Sequence, residues 1–281
     1  MSGHTSVAVK ADEHAFHRYL HFSSLKYDGL LDSWASIASL KILKCSNCGH
    51  HWYHKQPSDD QLQQMYSSGK SLKCSPKSRQ PSRFMITEMQ RLFRLSRQDN
   101  PTLLDFGSGS GLWSQAAHTV GFKVYSYEPN SVRSSTMNNP FTLVDNLCTL
   151  KDKKFDFVIL EQVLEHVSFP VSLLESLHQF CHQNTIVRIT VPNILRSPEG
   201  HQIWKEWPFN GVRAHTMAPF EHLNSFTPQS LRMTTKLAGF SLLPSSVMAL
   251  SYPDILLRYY VSKVIPRLGT TFTLIKPNLP N

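Results

Sequence analysis

The stretch Leu103-Leu104-Asp105-Phe106-Gly107-Ser108-Gly109-Ser110-Gly111-Leu112-Trp113 reads as a buried strand that runs into a glycine turn and then a helix. Glycines at alternate positions let the backbone approach a ligand closely, and the helix that follows aims its unpaired N–H groups and positive dipole end at the same place. Strand, turn and helix in this order build a nucleotide site around Gly107, Gly109 and Gly111. A dinucleotide fingerprint needs G-x-G-x-x-G. Here the residue three after Gly109 is Leu112, so the spacing is G-x-G-x-G and argues against NAD.

Working outward, Lys123-Val124-Tyr125-Ser126-Tyr127-Glu128-Pro129-Asn130 reads as a second strand ending in a carboxylate. An acid at a strand's carboxyl end, roughly 20 residues beyond the glycine turn, can accept two hydrogen bonds from a ribose diol, which makes Glu128 the ribose candidate. Phe141-Thr142-Leu143-Val144-Asp145-Asn146 is a short apolar run closed by Asp145, and Phe155-Asp156-Phe157-Val158-Ile159-Leu160-Glu161 is a third buried strand, followed by Gln162-Val163-Leu164-Glu165-His166-Val167. Residues 173–180 have helical period, and residues 185–193 read as a strand closed by Pro192. Residues 239–243 and 271–277 are the two final strands. Helices alternating with buried strands imply an α/β, doubly wound, mostly parallel sheet covered on both faces.

In this order the segments resemble the motifs of the class I, seven-strand S-adenosylmethionine-dependent methyltransferases. The resemblance covers about residues 81–281 and is most specific over residues 155–167. It implies a Rossmann-like seven-strand sheet whose two final strands form an antiparallel edge. It also implies that S-adenosylmethionine is held by Asp105, Gly107, Gly109, Gly111, Glu128, Asp145, Asn146 and Glu161, with Glu128 on the ribose and Asp145 near the adenine amino group.

Composition agrees. A chain of 281 residues is long enough for an α/β domain of about 200 residues and a smaller appendage. With 41% hydrophobic and 17% charged residues it can bury a core. No run of about 18 uncharged apolar residues would cross a membrane, and the N-terminus lacks the apolar region of a secretory signal, so a cytoplasmic location is expected. The five cysteines are scattered, unlike a secreted disulfide scaffold. The net charge of +9 favours an anionic partner without identifying one.

Much of that charge lies between residues 70 and 97, in Lys70, Lys73, Lys77, Arg79, Arg83, Arg91, Arg94 and Arg97. Residues 84–95 within it have apolar side chains at helical spacing, as in an amphipathic helix lying on a core with a solvated basic face. Ser75-Pro76-Lys77-Ser78-Arg79-Gln80-Pro81 has the composition of a linker and divides the chain into residues 1–80 and 81–281.

The first part carries Cys45-Ser46-Asn47-Cys48, a C-x-x-C knuckle, and then a helix capped by Ser58 or Asp59. Residues 45–66 resemble the small metal-binding N-terminal lobe of some bacterial sugar and natural-product methyltransferases, where two C-x-x-C pairs are usual. This chain has only one. His14-Ala15-Phe16-His17 stands where the first pair would be, and imidazole can replace thiolate at zinc, so His14, His17, Cys45 and Cys48 form a candidate Zn2+ tetrad. His50, His51, His54 and Cys74 are competing ligands, and a metal-free pair of reduced thiols is the alternative.

Substrate chemistry belongs in the loops at the carboxyl ends of the strands. Two segments qualify: Glu165-His166-Val167, and the insert from Asn193 to Thr227, whose Trp204, Trp207 and Phe220 could form a lid over the acceptor. Methyl transfer from a sulfonium needs in-line positioning and removal of one proton. His166 is the first candidate base, followed by His222 and His215, with Glu161, Glu165 and Glu221 as carboxylate alternatives. The expected function is methylation, by default at oxygen, of a small or medium-sized metabolite, with sugar-linked and phosphate-bearing acceptors as the candidates. Enzymes that methylate nucleic-acid amino groups carry an Asn/Asp-Pro-Pro-aromatic element after the fourth strand. The chain reads Leu160-Glu161-Gln162-Val163 there, which disfavours that subclass and leaves RNA methylation at other atoms, or an inactive cofactor-binding scaffold, as alternatives.

Overall fold

The structure, a computed structural model, describes residues 5–10, 17, 19, 21, 41–67, 80–130, 140–194, 209–210, 213–214, 217, 220–244, 246 and 270–279. The glycine-turn strand is β4 (Thr102–Phe106), numbered after three N-terminal strands, β1 (Thr5–Lys10), β2 (Lys41–Cys45) and β3 (His51–Tyr53). Beside it run β5 (Lys123–Tyr127), β6 (Thr142–Val144), β7 (Phe155–Glu161) and β8 (Cys181–Pro192), and the sheet is completed by β12 (Phe240–Leu242) and β13 (Thr270–Pro277). Their order is β12-β13-β8-β7-β4-β5-β6. Strands β4, β5, β6, β7 and β8 pair in parallel.

Adjacent residues of one strand point to opposite faces, so each strand serves two cores. Leu103 and Ile159 join Met89, Leu92, Ala116 and Ala117 of α2 (Arg83–Phe93) and α3 (Leu112–Val120) on one face. Leu104 and Val158 join Leu174 of α4 (Pro170–Ser176) and Leu231 of α5 (Pro228–Leu237) on the other. This is the doubly wound arrangement that continuous apolar strands require. The helical period read over residues 173–180 is divided, with α4 ending at Ser176 and a 3₁₀ turn following over Leu177–Phe180.

The two final strands form the expected antiparallel edge, pairing antiparallel with each other beyond β8. Only β13 is reversed, pairing antiparallel with both β8 and β12, so β12 runs with the parallel strands. The eight-residue β13 takes the interior place and matches β8 from Thr270 to Ile275, while the three-residue β12, with Leu242 exposed, forms the rim. Short edge strands limit unwanted pairing with other chains.

The N-terminal strands form a second, antiparallel sheet of order β1-β2-β3-β11. Its last strand, β11 (Asn224–Ser225), comes from the far end of the insert and pairs with β3. The lobe before residue 80 therefore borrows a strand from the region after it, which the linker composition did not foretell. Helix α1 (Asp59–Ser67) begins at a reciprocal cap in which Ser58 Oγ accepts the Gln61 N–H and Gln61 Oε1 accepts the Ser58 N–H. A small hairpin of β9 (Phe209–Asn210) and β10 (Arg213–Ala214) lies within the insert. Among the described residues, no helix is long and apolar enough to cross a membrane.

The cysteine knuckle is seated on the start of α5. The Thr227 hydroxyl donates to the Cys48 carbonyl at 2.7 Å and accepts the Ser230 N–H at 3.0 Å, closing a capping box. Gln229 Nε2 donates to the Asn47 carbonyl at 3.1 Å. Thr227→Ala removes the helix cap and leaves a buried carbonyl unpaired. We expect a loss of about 2 kcal/mol in urea unfolding, against a few tenths for Gln229→Ala.

Candidate active site

At the carboxyl end of β4 the backbone turns through Gly107, at φ +75°, and the N–H groups of Gly107 and Ser108 both donate to the Tyr127 carbonyl at 2.9 Å. A Cβ built on Gly107 would lie 2.9 Å from Val163 Cγ2, in the turn after β7. Backbone conformation and space therefore both demand glycine. Gly111 is the left-handed N-cap of α3, with no side-chain cap, so the first N–H groups of that helix face the turn unblocked by a side chain.

Glu128 follows β5 directly and is 5% exposed. One carboxylate oxygen accepts the Gly109 N–H at 2.8 Å and the other the Asn130 N–H at 3.1 Å. A carboxylate oxygen has two lone pairs, so accepting one N–H does not by itself exhaust it. Gly107, Glu128 and Asn130 line a cavity of about 870 Å³ whose other walls include Phe106, Val163 and His166.

Other candidates serve the framework rather than this cavity. Asp105 is 1% exposed and receives the Ser114 hydroxyl at 2.6 Å, and Ser114 Oγ is also 3.0 Å from Ser126 Oγ. Burial, reinforced by the nearby charge of Glu128 and opposed by Ser114, pushes its carboxyl up to about 7. Asp105 thus ties β4 to the first turn of α3 and does not line the cavity. Glu161 turns inward to an ion pair with Arg188 and accepts the Thr190 hydroxyl at 3.1 Å. Arg188 also lies 3.4 Å from Glu88 and covers the Trp113 ring at 5.0 Å. Asp145 and Asn146 are exposed beyond β6, and Asn146 Oδ1 caps the 3₁₀ turn Leu147–Leu150 by accepting the Cys148 N–H at 2.9 Å. Neither is among the lining residues.

The candidate bases fare unequally. His166, in the 3₁₀ turn Leu164–His166, lines the cavity. Its Nδ1 lies 2.6 Å from the Glu221 carbonyl and 2.9 Å from the Tyr66 hydroxyl. His222 packs edge-on against it, with ring centroids 4.6 Å apart. Glu165 is 0% exposed, and burial, weakly opposed by its own backbone N–H, pushes its carboxyl up to about 8. His215, Trp204 and Trp207 lie outside the described residues. Phe220, expected in a lid, is instead buried, at φ +68°, while its neighbour Glu221 lines the cavity.

Of the zinc candidates, His14 and Cys74 lie outside the described residues. Cys45 and Cys48 stand at the two ends of one turn, closed by the Gly49 N–H on the Cys45 carbonyl at 2.9 Å. The Cys45 thiol is lowered from its usual pKa by backbone N–H donation from the turn, and burial raises that of Cys48. His17 is exposed. Among the described residues, the His, Cys, Asp and Glu side chains that converge in a group of three are Glu165, His166 and His222, and the cysteines are not among them.

Sequence reasoning missed part of the cavity wall. Asp59, Leu62, Gln63 and Tyr66 of α1 line it, brought there by the Tyr66 hydroxyl on His166, the Tyr66 carbonyl accepting from Asn130 Nδ2, and Ser168 Oγ donating to Asp59 Oδ1 at 3.0 Å. Gln162 and Phe169 were missed as well. Gln162 holds φ +56° and Phe169 is 69% exposed, directly before Pro170 at the start of α4. A left-handed glutamine leaves no mark in a sequence, whereas Phe169-Pro170 did mark a loop.

A family profile describing a methyltransferase domain matches residues 78–245. The chain belongs to the methyltransferase-domain family. It is an S-adenosylmethionine-dependent methyltransferase with the Rossmann-like fold of that class. No curated protein matches it significantly. Similar solved structures include a SAM-dependent methyltransferase from Archaeoglobus fulgidus, at 15% identity and TM-score 0.47, covering 69% of this chain and 94% of that one. The CcbJ methyltransferase from Streptomyces caelestis matches at 10% identity and TM-score 0.49, covering 71% and 91%. A complex of the Haloferax volcanii Trm112 methyltransferase activator with a methyltransferase matches at 17% identity and TM-score 0.48, again covering 71% and 91%.

The buried acid of the methyltransferase's glycine turn makes its stability pH-dependent. With its carboxyl held at about 7 in the folded chain, against about 4 when unfolded, Asp105 binds more protons in the native state. Its contribution to stability is therefore present at low pH and is lost as pH rises from about 4 to about 7. Asp105→Asn keeps the acceptor for Ser114 and should be on the order of 1–3 kcal/mol less sensitive to that rise. Urea unfolding of both proteins at pH 5 and pH 8 measures the difference, and equal pH slopes would show that Asp105 is ionised in the fold.

Proposed function

We propose that the chain methylates oxygen on a small or medium-sized metabolite, with S-adenosylmethionine bound at the Gly107, Gly109, Gly111 turn and the Glu128 carboxylate. The fit is supported by Gly107, where a side chain would collide with Val163, and by Glu128, which lines the cavity and holds the glycine turn through the Gly109 N–H. When bound, the sulfonium supplies an electrophilic methyl and a neutral leaving group, so the protein has only to align the acceptor and lose its proton.

The observation that carries this reading is one cavity lined by both Glu128 and His166. Its volume, about 870 Å³, lies in the range of about 300–1,000 Å³ typical of small-ligand sites, which favours a compact acceptor over a polymer. Phe106, Leu62, Leu173 and Phe169 give it apolar walls. Acceptor activation belongs to the corner where His166 meets His222 and Glu165.

Zinc at the Cys45–Cys48 knuckle, completed by His14 and His17, is a separate structural proposal, supported by the two thiols standing at the ends of one closed turn. Elemental analysis should find zinc that is lost in the Cys45→Ser/Cys48→Ser double variant. Metal-free wild type, prepared without chelator, would remove this site.

For the methyl-donor site, calorimetry of S-adenosylmethionine should show Glu128→Ala binding on the order of a hundredfold more weakly, equivalent to about 2–3 kcal/mol. Unchanged affinity would take Glu128 out of the site. His166→Ala should instead leave donor affinity within about twofold and lower turnover by about 10²–10⁴, since it acts on the acceptor.

A further inference from the structure

Glu165 is a buried carboxyl next to the cavity-lining His166. It is fully buried, at 0% exposure, and apart from its own backbone N–H neither carboxylate oxygen has a hydrogen-bond partner among the described residues. Leaving a buried carboxyl so poorly partnered costs free energy whether it is ionised or neutral, because the neutral form still carries an O–H that needs an acceptor. His166 stands beside it, with Nε2 3.9 Å from Glu165 Oε1.

The tautomer of His166 follows from its contacts. A carbonyl oxygen can only accept, so the 2.6 Å approach of the Glu221 carbonyl places the proton on Nδ1. The lone pair is then on Nε2, the atom that faces Glu165. A backbone carbonyl on the far ring nitrogen is the usual outer support of a metal-binding histidine. His222, edge-on at 4.6 Å, brings a second imidazole. One ligand atom from each of Glu165, His166 and His222 lies within 4.8 Å of the other two. Ligands of one cation at about 2.1 Å sit roughly 3–3.5 Å apart, so modest side-chain rotation closes the set.

We propose that Glu165, His166 and His222 bind a divalent first-row cation, and that the acceptor hydroxyl is activated on it. This deepens the assignment of oxygen methylation and rests on it. Three protein ligands, two imidazoles and one carboxylate, leave coordination positions open, and His166 is the member that lines the cavity. An acceptor O–H on the cation loses its proton to solvent at neutral pH, the oxygen lone pair forms the new C–O bond, and the methyl–sulfur bond breaks with its electron pair going to sulfur. In this form His166 and His222 hold the cation and take no proton themselves.

The experiment uses the full chain stripped with chelator and then titrated with Mn2+, followed by the loss of the free-ion paramagnetic resonance signal. Mn2+ is chosen because imidazole and carboxylate accept it, whereas the thiols of Cys45 and Cys48 favour zinc. We expect one Mn2+ per chain in wild type and in Cys45→Ser/Cys48→Ser, and none at the same concentrations in Glu165→Gln or His222→Gln. Because Glu165→Gln could fail to fold, circular dichroism and S-adenosylmethionine calorimetry accompany each variant, and His222→Gln repeats the test away from the buried carboxyl.

No binding by wild type, or binding that survives both Glu165→Gln and His222→Gln, overturns the site. Binding lost only with the cysteines also overturns it. If S-adenosylmethionine binds the metal-free wild type and Mn2+ does not bind, the cation fails while the methyl-donor site stands. If Mn2+ binds as expected but the donor does not, the cation site holds and the proposed donor site fails.

Discussion

One carboxylate holds the two loops on which the cavity depends. Glu128 accepts from Gly109 in the turn after β4 and from Asn130 in the turn after β5, while Gly107 and Ser108 donate across to the Tyr127 carbonyl. Parallel strands place their carboxyl ends side by side, but hydrogen bonding along the strands stops where they end. These four N–H groups continue the pairing one turn beyond the sheet and fix the open face of the loops. Charge-assisted bonds to a nearly buried carboxylate are stronger than neutral ones, so the clamp also sets the direction in which the glycine backbone faces the cavity.

Beneath that clamp the polar groups of the core are arranged in two connected sets. Asp105, Ser114 and Ser126 join β4, α3 and β5. Arg188 joins β8 to Glu161 on β7 and Glu88 on α2 while lying over Trp113. A buried ion pair gains little net stability once desolvation is counted, but removing one member strands the other. The Arg188 set therefore acts chiefly as a register device, since only one alignment of β7, β8 and α2 brings its charges together.

The N-terminal segment is part of the site's architecture. β11, drawn from the insert, completes its sheet, Thr227 holds its cysteine knuckle, and Tyr66 of α1 reaches both His166 and Asn130. The cavity is thus walled on one side by α1, more than 40 positions before the glycine turn in the chain, and on the other by Glu221. A wall assembled from separate segments can change its side chains without disturbing the sheet, which is how one fold supports many acceptors.

The local sequence determined the strands, the helices, their alternation and the glycine turn that borders the cavity. Those features rest on hydrophobic period, on glycine's access to positive φ and on capping residues, all of which act over a few neighbours. Gly107, Glu128, Ser58 and Thr227 were legible for that reason. The interior place of β13, the inward turn of Glu161, the removal of Asp105 from the cavity and the convergence of Glu165 with His166 and His222 were decided only by the tertiary structure. Each depends on which distant group arrives opposite: β8 for β13, Arg188 for Glu161, Ser114 for Asp105, and the Glu221–His222 turn for the glutamate–histidine pair. A carboxylate reads the same in sequence whether it will meet a ribose, a guanidinium or nothing, because its role is set by burial and partner rather than by its neighbours in the chain.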